Sequence, residues 1–350
     1  MKPEGKRRIL IVRLGSMGDI LHSLPVLASL KESFPNWELD WLVESRWRPL
    51  LEGIPQISRI IELDTLAWRR QPFSLRTWNA FVIAIQALRE RRYDCALDLQ
   101  AALKSAAACY LSGAREIIGF DPPWRKEPAC GVFYTRRVAT SATHIVEANL
   151  ALAAALGARA GPVHFPLPPG DPASLPSDLP RHGLAVINPG AGWQSKRWPA
   201  EGYAFVSDVL QQEFSMPVVL NCGPGEVELA EQVKRACRGS DPRVYSGNIP
   251  GLVALLRRSR LMVGPDTGPV HLAAALGVPT VGLFGPTDPA RNGPYGSRHK
   301  SLRPENAPTS YQHSSAAAHV MEQIRPEQVV AAIHELLAEE TKATEQQGLS

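Results

Sequence analysis

The chain has 350 residues, which suits two domains of about 150–180 residues each. Hydrophobic residues make up 44% of the sequence, so each domain can bury an ordinary core. The net charge of +4 is unevenly divided, because residues 1–160 hold 22 Lys and Arg against 16 Asp and Glu, and the remainder holds 16 against 18. The basic excess in the first half fits either the binding of an anionic partner or ordinary surface charge. We expect no nucleic-acid partner.

The sequence also argues against a disulfide scaffold, a zinc site and a membrane span. Its five cysteines are scattered without a Cys-x-x-Cys motif, so we expect free thiols and no metal site. The first apolar run, residues 9–12, is ended by Arg13. No later run reaches the roughly 18 apolar residues that a membrane-spanning helix needs. We therefore expect a cytoplasmic protein.

The first 165 residues alternate between short apolar runs and helical patterns. We predict strands over residues 8–12, 37–43, 59–63 and 93–99, and helices over residues 18–33 and 75–91. This alternation is typical of a parallel sheet with helices on both faces. We therefore predict a first Rossmann-like domain over residues 1–165.

A second domain follows a proline-rich segment, residues 166–183, which we interpret as a linker with few packed contacts. After it we predict strands over residues 184–187, 217–220, 260–263 and 280–283, and helices over residues 200–213, 226–236, 251–258 and 270–276. This domain covers residues 184–325, followed by an amphipathic helix over 326–340 and a flexible tail over 341–350. The predicted fold class is α/β, with two doubly wound domains facing a cleft. Ligands of such sheets bind beyond the carboxyl ends of the strands.

The loop after the first strand carries the first candidate for chemistry. Gly15 and Gly18 let the backbone turn from strand to helix, and Asp19 falls in the first turn of that helix. The helix dipole favours a carboxylate there, so Asp19 is either a capping residue or a catalytic group. The segment lacks the Gly-Lys-Ser/Thr of a P-loop, and its glycine spacing is too short for a dinucleotide fingerprint.

A later strand-to-helix loop predicts a binding site for a diphosphate. Thr267, Gly268 and Val270 lie at the start of a helix, where free backbone N–H groups and the helix dipole attract anions. Asp266 precedes them and suits sugar hydroxyls better than phosphate. His271, one turn into the helix, is either a packed histidine or a ligand contact.

Three further loops follow strands of the second domain. Lys196 and Arg197 supply cations that either neutralise a leaving diphosphate or form a solvated basic loop. Glu226 either binds ribose hydroxyls or caps a helix. The segment Phe-Gly-Pro-Thr-Asp288 follows the next strand, where a loop can close over a ligand.

Taken together, these loops resemble one known family. The order and spacing of five motifs are similar to those of the ADP-heptose:lipopolysaccharide heptosyltransferases, glycosyltransferase family 9. The motifs are Arg13-x-Gly-x-x-Gly-Asp-Ile-Leu-His, Lys196-Arg-Trp, Gly-Pro-Gly-Glu226, Asp266-Thr-Gly-x-x-His271 and Phe-Gly-Pro-Thr-Asp288. The resemblance spans roughly residues 8–330.

The resemblance implies the GT-B fold, in which the first domain binds the acceptor and the second binds ADP-heptose. The donor-binding residues that it implies are Lys196, Glu226, Asp266, Thr267, Gly268 and His271. In this interpretation Lys196, Thr267 and Gly268 hold the diphosphate, Glu226 holds the adenosine ribose, and Asp266 holds the heptose. Asp19 is the general base of an inverting transfer, which requires neither a covalent nucleophile nor a cofactor.

The resemblance also implies an anionic glycolipid acceptor at the inner membrane face, so we expect a cytoplasmic protein with a peripheral position there. The candidates for acceptor binding are Arg13, Ser16, Arg46 and Arg48. Further basic candidates are Arg69, Arg70, Arg125 and Lys126. Each of these cations can equally be a plain surface charge.

Three alternatives stay open at this level. One is a transferase that uses another nucleotide sugar or another acceptor. A second is a nucleotide-sugar epimerase, which would need further acid and base groups, and the sequence shows no additional paired carboxylates to supply them. A third is a non-catalytic nucleotide-sugar binding protein, which has no need of Asp19.

Overall fold

The structure is a computed structural model that describes residues 6–71, 74–310 and 319–348. The chain divides into two compact units, Met1–Pro168 (unit 1) and Pro169–Ser350 (unit 2). Each unit is built around a parallel sheet of six strands. None of the helices in the described ranges has the length and apolar character needed to cross a membrane.

The elements of unit 1 are strands β1 Arg8–Val12, β2 Glu38–Val43, β3 Arg59–Glu62, β4 Cys95–Asp98, β5 Glu116–Phe120 and β6 Arg136–Val138, and helices α1 Met17–Leu21, α2 Leu24–Ser33, α3 Thr65–Arg70, α4 Leu75–Glu90, α5 Leu103–Leu111 and α6 Ile145–Ala155. Those of unit 2 are strands β7 Leu184–Ile187, β8 Val218–Asn221, β9 Arg243–Tyr245, β10 Ser259–Pro265, β11 Thr280–Leu283 and β12 His299–Leu302, and helices α7 Ala200–Phe214, α8 Val227–Ala236, α9 Ile249–Arg257, α10 Gly268–Ala275, α11 Pro289–Asn292 and α12 Pro326–Gly348.

Both sheets have the same strand order. Unit 1 runs β3-β2-β1-β4-β5-β6, and unit 2 runs β9-β8-β7-β10-β11-β12 in the same sense. This is the doubly wound Rossmann order, in which the chain reverses direction across the sheet after its third strand. The reversal lies between β1 and β4 in unit 1 and between β7 and β10 in unit 2. The predicted pair of Rossmann-like α/β sheets is thereby confirmed.

The apolar runs explain why these segments form central strands. β4, β7 and β8 are buried along their whole length, as expected for strands covered on both faces. The eight strands and helices that the sequence analysis missed include β6 and β9. Each of these two has three residues and lies at a sheet edge, and each contains arginine, so its pattern carries little hydrophobic signal.

The predicted helix over residues 18–33 is wrong in one respect, because it is interrupted. α1 ends at Leu21 and α2 begins at Leu24, with Pro25 in the first turn of α2. Proline lacks a backbone N–H and fits the first turn of a helix, where no intrahelical acceptor is needed. The break leaves Asp19 on a short helix of its own.

The proline-rich segment after residue 165 has more packed contacts than we expected of a linker. The Asp171 N–H donates to the Pro250 carbonyl at 2.9 Å, and Leu175 and Leu179 are buried. Residues 169–183 of this segment therefore belong to unit 2. At the other end of unit 2, α12 continues to Gly348, although we predicted a helix over 326–340 and a flexible tail. Residues 349–350 of that predicted tail lie outside the described residues.

A buried ion pair joins β2 to the end of α4. The Asp40 carboxylate is fully buried and accepts from Arg91 Nε at 2.7 Å, from Arg91 Nη2 at 3.1 Å and from the Tyr93 hydroxyl at 2.8 Å. Burial and the neighbouring Asp40 raise the pKa of Tyr93, so its hydroxyl remains a donor. Removal of one partner from such a cluster leaves an uncompensated charge in the core.

We expect Arg91→Leu to lower the free energy of unfolding by about 3 kcal/mol, because Asp40 would lose its counter-ion while staying buried. The measurement is urea unfolding followed by circular dichroism. Arg115→Leu is the matched control, since the Arg115 side chain is 83% exposed and lies 3.6 Å from Asp94. We expect no measurable change for that variant. Equal stability of the two variants would contradict this account of the cluster.

Candidate active site

In unit 1, Asp19 lies beside the strand-order reversal and is paired with Arg13. The Asp19 side chain is 30% exposed, and its Oδ1 lies 2.6 Å from Nη2 of the buried Arg13. Its Oδ2 accepts from the Ser16 N–H at 2.9 Å and from the Ser16 hydroxyl at 3.1 Å. Asp19 is therefore a fixed carboxylate that keeps part of its surface open to solvent.

The loop that carries Arg13 is held by the end of the neighbouring strand β4. Gln100 Oε1 accepts the Leu14 N–H at 2.8 Å, and Arg13 Nη1 donates to the Leu99 carbonyl. Gly15 is required by close approach, because a Cβ there would lie 2.8 Å from Trp47 Nε1. The loops after β1 and β4 thus form one connected structure.

A buried carboxylate, Asp98, orders the β4 loop in turn. It accepts from the backbone N–H groups of Gln100 and Ala101 at 3.0 Å, from the Ser105 hydroxyl at 3.0 Å and from the Tyr134 hydroxyl at 2.8 Å. Burial raises the pKa of Asp98, and these donors oppose that shift. The sequence analysis did not identify Asp98 or Gln100. The signal that was available is that Asp98-Leu-Gln100 lies at the carboxyl end of a strand that we had predicted.

The surroundings of Asp19 favour its ionised form. Burial raises the pKa of Asp19, but the Arg13 charge and the Ser16 N–H lower it further than burial raises it. The charges of His22 and Lys126 act in the same direction. The pKa of Asp19 therefore lies below its ordinary value, and the group is a carboxylate at neutral pH.

The predicted acceptor-binding cations lie in different environments. Arg46 is exposed, with its guanidinium 4.8 Å from the centroid of the Trp47 ring, whereas Arg48 is paired with Glu62 at 2.8 Å and Glu52 at 3.6 Å. Arg13 is buried and engaged with Asp19, so its surroundings favour a positioning role over direct acceptor contact.

Four further basic candidates also differ. Arg125 is paired with Asp121 at 3.0 Å and has a side chain only 11% exposed. Lys126 is exposed and close enough to Asp19 to lower its pKa. Arg70 is exposed, and the side chain of Arg69 lies outside the described residues.

In unit 2, two of the predicted donor residues, Lys196 and His271, contact the carboxylate of a third, Asp266. Its Oδ2 lies 2.5 Å from Lys196 Nζ and accepts from the Thr287 hydroxyl at 2.7 Å, while its Oδ1 accepts from His271 Nε2 at 2.9 Å. Lys196 follows β7, Asp266 follows β10 and Thr287 follows β11, so three strand ends contribute. Thr287 was missed as a partner of Asp266, although its motif had been singled out.

Asp266 is buried and ionised. Burial raises its pKa, but the hydrogen bond from His271 and the charge of Lys196 hold the pKa well below its ordinary value. His271 is also buried. His271 is therefore placed to act through its hydrogen bond to the Asp266 carboxylate.

The start of α10 offers backbone donors next to this cluster. Within the part of the chain that the structure describes, the N–H groups of Thr267 and Gly268 have no protein acceptor. The prediction that Val270 offers a third free N–H is wrong, because that group donates to the Thr267 carbonyl at 3.1 Å. Two N–H groups at a helix N-terminus beside a lysine suit an anionic ligand.

Glu226 lies at the start of α8, with its carboxylate turned back toward the preceding glycine-rich loop. Its Oε2 accepts from the Gly223 N–H at 2.9 Å. The carboxylate also lies against Gly190 in the β7 loop, where a Cβ would clash with it. The Asn221 amide donates to Asn188 Oδ1 at 2.7 Å and joins the ends of β8 and β7 beneath it. Glu226 is thus fixed between two loops that follow neighbouring strands.

Comparisons with known proteins identify the family of the chain. Residues 83–320 match glycosyltransferase family 9 (heptosyltransferase). The chain belongs to glycosyltransferase family 9. It is 31% identical to lipopolysaccharide heptosyltransferase 1 of Pseudomonas aeruginosa, covering 83% of this chain and 81% of that one. It is 27% identical to the lipopolysaccharide core heptosyltransferase OpsX of Haemophilus influenzae, with 87% of each chain covered.

The solved structures give the same result for the fold of this family 9 member. The E. coli heptosyltransferase WaaC with ADP is 26% identical and has a TM-score of 0.79, over 94% of this chain and 99% of that one. WaaC with ADP-2-deoxy-2-fluoro heptose has a TM-score of 0.77 with the same coverage. The protein is a glycosyltransferase with the GT-B fold, as predicted.

For this glycosyltransferase, the ion pair of Arg13 with Asp19 predicts a pH effect. We expect Arg13→Gln to raise the pKa of Asp19, because burial would be opposed by fewer positive charges. In the interpretation of Asp19 as the general base, which must be ionised to act, the acid limb of the kcat/KM profile should move to higher pH. Arg13→Lys retains the charge and should move the limb less. An acid limb at the same pH in all three proteins would show that Arg13 does not influence the pKa of Asp19.

Proposed function

We propose that this protein transfers heptose from ADP-heptose to an inner-core acceptor of lipopolysaccharide, with inversion at the anomeric carbon. The observation that carries the proposal is the cluster of Lys196, Asp266 and the free N–H groups of α10, in a chain whose relatives are named lipopolysaccharide heptosyltransferases. Such a cluster combines donors for a diphosphate with a carboxylate for sugar hydroxyls.

In this proposal unit 2 binds the donor. Lys196 and the N–H groups of Thr267 and Gly268 hold the diphosphate, since a cation and helix N-terminal amides stabilise the charge of the leaving ADP. Asp266 accepts from heptose hydroxyls, and His271 and Thr287 hold its carboxylate in place. The carboxylate of Glu226 accepts from the hydroxyls of the adenosine ribose.

Unit 1 supplies the base. As the acceptor oxygen attacks C1 of the heptose, its proton passes to Asp19 and the bond between C1 and the diphosphate oxygen breaks, which releases ADP. The lowered pKa of Asp19 supports this role because it keeps the carboxylate free of a proton at neutral pH. It also makes Asp19 a weak base, so the proton moves late, when the attacking oxygen has become acidic.

The acceptor in this proposal is an anionic glycolipid at the cytoplasmic face of the inner membrane. Ser16, Arg46 and Lys126 are the exposed polar groups near Asp19 or on the neighbouring loop, and they contact its acidic sugars. Arg48 contributes only if it leaves Glu62. The basic excess of residues 1–160 supports binding of an anionic partner by this half of the chain.

We expect Asp19→Asn to lower kcat by a factor of about 10²–10⁴, because the amide cannot accept the proton. The affinity for ADP should stay unchanged, since Asp19 lies in unit 1. Turnover is measured by ADP release, and affinity is measured by calorimetry. A variant of nearly normal turnover and unchanged melting temperature would remove Asp19 from the mechanism.

We expect Lys196→Ala to weaken ADP binding by about tenfold or more, because a charge-assisted contact to the diphosphate is lost. Lys234→Ala is the matched control, since Lys234 also belongs to unit 2 and is paired with an aspartate, Asp241, at 2.9 Å. Calorimetry with ADP compares the two variants with the wild type. Equal affinity of all three proteins would refute the assignment of Lys196.

The alternative donor is decided by a thermal-shift panel of nucleotide sugars. A ligand that binds the native state raises the melting temperature according to its affinity. We expect ADP-heptose to give the largest shift, followed by ADP. A larger shift with a UDP-sugar would favour a transferase with a different donor. Conversion of the nucleotide sugar to an epimer, with no transfer to acceptor, would favour the epimerase alternative.

A further inference from the structure

Helix α4 exposes a stripe of large apolar side chains. Leu75 is 81% exposed, Trp78 is 54% exposed and Val82 is 47% exposed. The spacing of three and four residues places them on one side of the helix, while Ala84 and Leu88 are buried. Ile83, 64% exposed, lies at the edge of the stripe. An ordinary surface helix exposes fewer large apolar side chains than this one.

The exposed apolar side chains of unit 1 are concentrated in one region. The others among the described residues are Leu103 and Tyr110 on α5 and Val132 in the short 3-10 segment Pro128–Phe133. α4 packs against α5, and α5 packs against this segment, where the Tyr110 and Phe133 rings lie 5.7 Å apart. Apolar exposure on consecutive, contacting elements marks an interaction surface rather than scattered single residues.

The charge of the same stretch indicates what it binds. Between Asp64 and Glu90 the sequence contains no acidic residue and four arginines. Arg70, at the end of α3, is exposed. Tryptophan and leucine beside arginine are the chemistry of a helix that lies in the headgroup region of an anionic bilayer. A symmetric contact with a second copy would instead bring two sets of arginines together.

We propose that α4 docks this protein on a bilayer that contains anionic phospholipid. Leu75, Trp78 and Val82 enter the headgroup region, and the exposed Arg70 contacts lipid phosphates. The inference rests on the proposed function in one respect, because a glycolipid acceptor gives the enzyme a reason to bind a bilayer. Binding to vesicles itself requires neither donor nor acceptor.

The test is co-sedimentation of the full chain with vesicles of phosphatidylcholine alone and with added phosphatidylglycerol. We expect the wild type to bind the anionic vesicles more tightly. The triple variant Leu75→Ser, Trp78→Ser, Val82→Ser should bind them about tenfold more weakly or worse, because its apolar contact is lost. Phe205→Ser with Val227→Ser is the matched control: both side chains are 43% exposed, but they belong to unit 2. We expect this control to bind like the wild type.

Circular dichroism and the melting temperature check the fold of each variant. Should the triple variant be destabilised, Arg70→Glu provides a second test, since reversal of one exposed charge should weaken binding to anionic vesicles alone. The proposal would be overturned if the wild type did not bind anionic vesicles, or if the triple variant and Arg70→Glu bound them as tightly as the wild type does. A wild-type dimer that the triple variant dissociates would also overturn it, because a second copy would then cover the stripe.

The proposed function is tested separately with a water-soluble, deacylated acceptor. We expect the triple variant to transfer heptose to it at the wild-type rate, because the stripe contacts lipid rather than sugar. Absence of transfer by the wild type would contradict the proposed function while leaving the vesicle result unaffected.

Discussion

The reversal of strand order in each sheet is the constraint on which the rest of this protein depends. At the reversal, the chain leaves two neighbouring strands toward opposite sides of the sheet. The loops after these strands therefore diverge, and their backbone groups have no hydrogen-bond partner in a strand. In unit 1 these loops follow β1 and β4 and carry Arg13 and Gln100. In unit 2 they follow β7 and β10 and carry Lys196 and Asp266. Every residue to which we assign chemistry lies on these loops, on the first turn of the helices that follow them, or on the loops after the adjoining strands.

Each unit stabilises a carboxylate at its reversal with a cation. Arg13 is paired with Asp19 in unit 1, and Lys196 is paired with Asp266 in unit 2. In both cases burial alone would raise the pKa of the acid, but the cation and the hydrogen-bond donors lower the pKa by more than burial raises it. The difference lies in exposure: Asp19 keeps 30% of its side chain accessible, whereas Asp266 keeps 8%. Accessibility suits a group that must meet an incoming hydroxyl, and enclosure suits one that positions its neighbours.

The sequence was sufficient for eight of the twelve described strands and for most of the residues around Asp19 and Asp266, but not for the contacts between these residues. β1, β7 and β11 were predicted with the bounds that the structure has, because each is an apolar run between clear turn signals. The loops after them could then be placed at one sheet edge. What stayed hidden were contacts between segments far apart in the chain, such as Gln100 with Leu14 or Thr287 with Asp266. The periodicity of apolar residues carries no information on such pairs. The break between α1 and α2 was missed because the apolar pattern is helical on both sides of it, and Pro25 was the one local sign of the break.

The short bond between Lys196 and Asp266 has a consequence for discrimination among anions. Because the ammonium group already has a counter-ion at 2.5 Å, the pair presents little net charge to small solutes such as inorganic phosphate or sulfate. A ligand must give the carboxylate new hydrogen-bond donors at the same time as it gives the lysine new oxygens. The nucleotide sugar of the proposed function carries hydroxyls next to a diphosphate, so it offers new partners to both groups at once. We expect a small phosphate, which offers oxygens to the lysine alone, to compete poorly for this pair.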